Sequence, residues 1–190
     1  MENESVKIGI LAHVYDFIHG GHFASHHQLR FYDKNVYNYY IKDDKKTLTG
    51  LYNNLKEEVS ADIVNKIEES AGVRYFLCDG CHDARVVNVV YKEKDYKSNH
   101  LIIELNTEGM LGCLNLKTNN CKIKLETSKK EEYQSIISDF NNSERLYWIS
   151  SNIEFENNEM YFMLELQSFK GKNYENFNYK FKIFDVLIEQ

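Results

Sequence analysis

The chain contains no proline in its 190 residues. That absence removes the stiff extended linkers that proline-rich segments supply, and it removes one kind of strand breaker. Runs of lysine or arginine are also lacking. A formal net charge of −6 and a pI near 5.7 repel a phosphate backbone, and no RNA-binding aromatic signature offsets this, so nucleic acid is excluded as an expected partner. The longest apolar runs fall far short of a membrane span. Met1-Glu2-Asn3-Glu4-Ser5 has neither the basic start nor the uninterrupted apolar core of a signal peptide. A cytoplasmic protein with no membrane partner is the expectation, its four cysteines Cys78, Cys81, Cys113 and Cys121 reduced. Neither a nucleophile motif nor a glycine-rich phosphate loop is found, which points away from an enzyme.

Apolar material is plentiful. Residues of hydrophobic type make up 43% of the chain and aromatics 14%, enough to offset the entropy of ordering, and the length suits one domain. The pattern predicts an α+β fold: a mainly helical segment over residues 1–72, then an antiparallel, hairpin-rich sheet of about seven strands over residues 73–190.

In the helical segment Ile8, Leu11, Tyr15 and Ile18 recur at helical spacing, and Gly20-Gly21 supplies the left-handed conformation that commonly ends a helix. Leu29, Tyr32, Val36, Tyr39 and Tyr40 continue on one helical face, as do Leu48, Leu51 and Leu55. Ser60 is placed as an N-cap, with Val59 and Val64 as the hydrophobic staple around it. Gly72 is the expected terminator, and the partly β-branched run Val73 to Leu77 suggests a change to strand.

In the sheet segment, turns at Asn119-Asn120 and Asn157-Asn158 set register, because asparagine tolerates the positive φ of tight hairpins. The first turn pairs Leu116 with Ile123 and Leu114 with Leu125. The second pairs Phe155 with Met160, Ile153 with Phe162 and Ile149 with Leu166, each set on one face. Glu156 opposite Glu159 is a like-charge pair in that register. The last strand alternates Phe177, Tyr179, Phe181 and Ile183 inward with Asn178, Lys180 and Lys182 outward, and a bulge near Phe184 resets the phase before Val186 and Ile188. Strands near Val86 to Lys92 and Leu101 to Leu105 and a short helix over Glu132 to Phe140 complete the pattern. Ile103-Glu104-Leu105 resembles Leu164-Glu165-Leu166, a hint of a duplicated four-strand unit.

Three constellations could carry chemistry. Cys78-Asp79-Gly80-Cys81-His82 matches the C-x-x-C-H haem-attachment pattern, but such attachment occurs outside the cytoplasm. A zinc site would recruit Cys113 and Cys121, which the first hairpin sends to opposite faces, leaving buried hydrophobes as the plainer account. Next, His13, His19, His22, His26 and His27 are five of seven histidines. His22 and His26 stand one helical turn apart, so His19, His22 and His26 with His82 are the candidate ligands of a divalent metal, against a plain solvated face. Finally His82, Asp83 and Arg85 read either as an acid/base group or as turn-stabilising residues before a strand. Outward members of Trp148, Tyr147 and Tyr161 could form an aromatic contact surface, although strand aromatics are usually core.

His82-Asp83-Ala84-Arg85-Val86, followed by Leu101-Ile102-Ile103-Glu104-Leu105, resembles small bacterial proteins of unknown function whose sheet opens with a His-Asp-Ala/Ser-Arg/Lys-Ile motif. The resemblance covers roughly Gly80 to Leu125. Val86 stands where that motif has isoleucine, and the histidine-rich start has no counterpart in it. It implies a bacterial, cytoplasmic, β-rich protein, with toxin-neutralising immunity among the roles. The expectation is a non-catalytic protein that binds another protein through a sheet face or edge; the alternative is a metal-binding protein or metal-dependent enzyme using the N-terminal histidines.

Overall fold

The computed structural model describes residues 4–20, 26–78, 84–94, 98–106, 120–127, 133–171 and 173–189. The chain divides into two compact units, Met1–Asp79 and Gly80–Gln190. Among the described residues, no helix is long and apolar enough to cross a membrane.

The first unit is helical: α1 Glu4–Ile18, α2 His26–Tyr32, α3 Lys34–Ile41, α4 Lys45–Glu58, α5 Ala61–Glu69 and α6 Ala71–Cys78. Gly20, at φ +77°, ends the first helix as expected. The stripe from Leu29 to Tyr40 is broken at Asp33, whose carboxylate accepts from the Asn35 and Val36 amides and so caps α3. Ser60 caps α5 through the Ile63 amide, with Val59 and Val64 both buried beside it.

The segment Val73 to Leu77 is not a strand. Ser70 accepts from the Val73 amide through its hydroxyl and from the Arg74 amide through its carbonyl, starting α6 one residue later. Gly72 therefore lies inside a helix instead of ending one. An apolar run buried on every side has no period that separates helix from strand, and here the cap decides. The boundary between helical and β material consequently falls after residue 78, not after residue 72.

The second unit is a closed antiparallel barrel of six strands in the order β1-β2-β3-β6-β5-β4: β1 Ala84–Lys94, β2 Ser98–Asn106, β3 Asn120–Thr127, β4 Arg145–Glu156, β5 Glu159–Lys170 and β6 Asn173–Glu189. The expected open-ended count of about seven strands is thus corrected to six among the described residues. Ile123 and Leu125 of β3 pair with Ile103 and Leu101 on one side and with Ile188 and Val186 on the other. With both edges taken, Ile123 and Leu125 do not make the expected pairs with Leu116 and Leu114. Residues 107–119, Cys113 included, lie outside the described residues.

The second hairpin holds. Asn157 and Asn158 adopt φ of 52° and 62°, and Phe155–Met160, Ile153–Phe162 and Glu156–Glu159 pair across it. Lys180 and Lys182 of the neighbouring strand bind Glu156 and Glu159, which relieves the like-charge pair. Farther along, Trp148 and not Ile149 pairs with Leu166, because Ile149 is a one-residue bulge. The bulge at Phe184 is present: Asp185 pairs with Glu126 and Ile183 with Thr127.

Two three-strand meanders compose the barrel, in place of the four-strand repeat that the sequence hinted at. Their registers correspond. Val86, the bulged Val87, Ile103 and Leu105 of one hold the places of Trp148, the bulged Ile149, Leu164 and Leu166 of the other. Arg85 pairs with Tyr147 and Thr127 with Ile183, each residue facing its own counterpart, as a two-fold relation requires. Inward positions carry Trp148, Phe162, Phe181, Leu101, Ile103 and Leu166, all but inaccessible, so the interior is a packed core. A helix joins the meanders, α7 Gln134–Asn142, and Tyr133 and Ile136 there are fully buried. Tyr179 donates to Asp139 of that helix at 2.6 Å; burial first, and then this bond, raises its phenol well above the ordinary range.

Candidate functional site

With the barrel interior filled, the described strands can present a site only at their outward positions. On the outer face of β4, β5 and β6 those positions can be followed row by row. At the Asn157-Asn158 end stand Glu156 and Glu159, then Glu154, Tyr161 and Lys182, then Asn152, Met163 and Lys180. Both lysines of this end are paired. Lys180 binds Glu156 at 2.5 Å and lies 4.6 Å from the Tyr161 ring centroid, while the Tyr161 hydroxyl donates to Glu159 at 2.8 Å.

At the opposite end the composition changes. Tyr147, Gln167 and Asn176 form one row, continued onto β1 by Arg85; Arg145, Phe169 and Tyr174 form the next. Tyr147 and Phe169 meet edge to face with centroids 5.4 Å apart. Phe169 keeps 36% of its surface exposed, Tyr174 69% and the bulged Val87 42%. Tyr147, Ile149, Phe169 and Arg145 line an open groove of about 680 Å³. A smaller groove lined by Arg85, Val87, Phe140 and Arg145 adjoins it, both sharing Glu144.

The charges here are uncommitted. The chain has four arginines; in the helical unit Arg30 is exposed on α2 and Arg74 is packed against Asp16 and the carbonyls of Ile67 and Glu68. By contrast, neither Arg85 nor Arg145 makes an ion pair with any described residue. Glu144, the nearby carboxylate, is turned to the Gly171 amide. Exposed aromatics with unpaired arginines are the residue types that protein interfaces concentrate.

The residues singled out by sequence fall as follows. Arg85 is on β1, exposed, and belongs to this surface. His82 and Asp83, its expected companions, lie outside the described residues, as do His22, Cys81 and the side chain of His26. His19 is exposed at the end of α1, with Nδ1 2.8 Å from the Tyr15 carbonyl and its ring stacked on Tyr15. His13, from the same cluster, is wholly buried against Tyr32 and is no part of a solvated face. No group of three or more histidine, cysteine, aspartate or glutamate side chains is placed to hold a metal among the described residues. Cys78 and Cys121 are each buried, one in either unit.

Of the three aromatics considered for a contact surface, Trp148 is core and Tyr161 is engaged by Lys180 and Glu159, while Tyr147 lines the groove. Sequence reasoning missed Arg145, Phe169 and Tyr174. The available signal was the strand alternation itself: Phe169 and Arg145 follow outward positions from Tyr161 and Tyr147 at steps of two.

No family model, curated protein or solved structure matches the chain.

Proposed function

We propose that this is a non-catalytic protein-binding protein whose partner docks on the outer face formed by Arg85, Tyr147, Arg145, Phe169 and Tyr174. The reading is carried by one observation: on a single sheet face, one end has both its lysines paired with Glu156 and Glu159, while the other end has two arginines with no ion pair among the described residues beside exposed aromatic rings. Leaving apolar surface and guanidinium groups uncommitted has no folding advantage, but it suits a surface that is covered in a complex. An immunity-type role, with a toxic protein as the partner, is the concrete version suggested by the His82 to Val86 resemblance.

The test is affinity capture from lysate of the source organism, using the tagged full chain beside Phe169→Ser and Lys182→Met variants. A defined partner retained by wild type and Lys182→Met but lost with Phe169→Ser supports the proposal. A partner held equally by all three would place the interface elsewhere, and turnover in a broad substrate screen with no captured partner would overturn the non-catalytic reading.

A further inference from the structure

We infer that the segment received by this surface is an acidic peptide stretch, its carboxylate gripped jointly by Arg85 and Arg145 and its neighbouring apolar side chain laid on Tyr147 and Phe169. The inference rests on the docking reading above and specifies the chemistry of the partner. Arg85 sits directly opposite Tyr147, and Arg145 is two positions along the same strand, so both arginines emerge on one face as diagonal neighbours. Such neighbours are about 7–8 Å apart at the backbone. Two long side chains from that spacing converge on one small anion with ease.

Two like charges so placed repel one another, and each guanidinium offers a planar fork of donors that matches a carboxylate. Neither fork is filled by a described residue. Elsewhere on the barrel four lysines are matched, Lys122 by Glu104, Lys124 by Glu189, Lys180 by Glu156 and Lys182 by Glu159, and the described lysines without an ion pair, Lys92 and Lys170, are not guanidinium forks set side by side. The arginine pair is therefore the place where an acidic partner gains most from a chain whose own net charge is −6. The apolar wall beside it excludes water from the ion pair, which strengthens the charge-assisted bonds. Specificity for an acidic residue next to an aromatic or aliphatic one follows from that juxtaposition.

The experiment is selection of random peptides displayed on phage against the intact chain, with wild type, Arg85→Gln/Arg145→Gln and Phe169→Ser proteins side by side. All these positions are exposed or half-buried, and matching thermal unfolding would establish that the variants are folded. Peptides enriched on wild type should carry aspartate or glutamate beside an apolar residue. Synthetic copies should bind the double arginine variant about ten- to hundredfold more weakly, the range implied by losing charge-assisted hydrogen bonds, and should weaken as salt is raised. Enriched peptides that lack acidic residues, or that depend on Phe169 while ignoring both arginine changes, overturn the acidic-peptide inference and leave the docking surface standing. Peptides indifferent to all three changes overturn both. Failure to enrich any sequence overturns the inference as well.

Discussion

The two ends of one sheet face, built from the same three strands, solve their electrostatics in opposite ways. Near the Asn157-Asn158 turn both lysines have a glutamate; near Gly171 the arginines have none among the described residues and the aromatics stand exposed. Backbone and register are continuous between them beyond the Ile149 bulge. The lesson is that what differs is side-chain commitment, not strand pairing, so one end of a continuous sheet can be specialised while the other stays internally paired.

Variants can break or sharpen that contrast. The largest effect is expected from Phe169→Ser combined with Tyr174→Ser, which should cost partner binding about 2–4 kcal/mol, as loss of aromatic anchors does, while leaving the urea midpoint close to wild type. If binding survives intact, the distinction between the ends has no functional content. On the inner side of the same meander, Tyr179→Phe removes the bond to Asp139 and should lower stability by about 1–2 kcal/mol without touching binding. Its signature is alkaline: the raised phenol pKa means that wild-type stability contributed here is complete below the ordinary value of 10.0 and declines as pH rises above it, a decline that Tyr179→Phe should remove from the pH dependence of urea unfolding.

A smaller effect belongs to the turn. Asn157→Ala forces a Cβ-bearing residue without asparagine's local bonding into φ 52°, costing about 1 kcal/mol in urea melts and nothing in binding. The smallest change is Lys182→Met at the paired end. Glu159, hydrogen-bonded by Lys182, is held below the usual carboxylate range, so its contribution is present above that range and is lost as pH falls through the depressed value. The variant should weaken that acid-side dependence, the part held by the Tyr161 hydroxyl remaining, while retaining partner binding.

How much of this was legible in the sequence differs by element. The second hairpin was readable because its turn residues, its alternation and its cross-strand pairs are all local and agree. The first used the same Asn-Asn device and failed, since a local pattern cannot say which distant strand will claim an edge; β2 and β6 claimed both edges of β3. Ile149 slipped by one residue because a bulge leaves no mark on the apolar count. The helix after Ser70 was missed through weighting β-branching over a capping hydroxyl. Of the candidate site, Arg85 and Tyr147 were visible as single residues, whereas Arg145 and Phe169 acquire meaning only when barrel closure sets β1 beside β4 and places the four together.

That closure has its own consequence. Among the described residues β1 and β4 are joined only where Ala84–Val86 meet Leu146–Trp148, a short zip next to the long ladder between β4 and β5, and each strand bulges immediately after it at Val87 and Ile149. A cylinder fastened so briefly along one line breathes there first. The proposed contact surface straddles this line, with Arg85 on one lip and Arg145 on the other, so an occupant would act as a latch. Amide exchange at Arg85 and Tyr147 should slow on binding more than at any position of the β5–β6 ladder, reporting a barrel locked shut by its cargo.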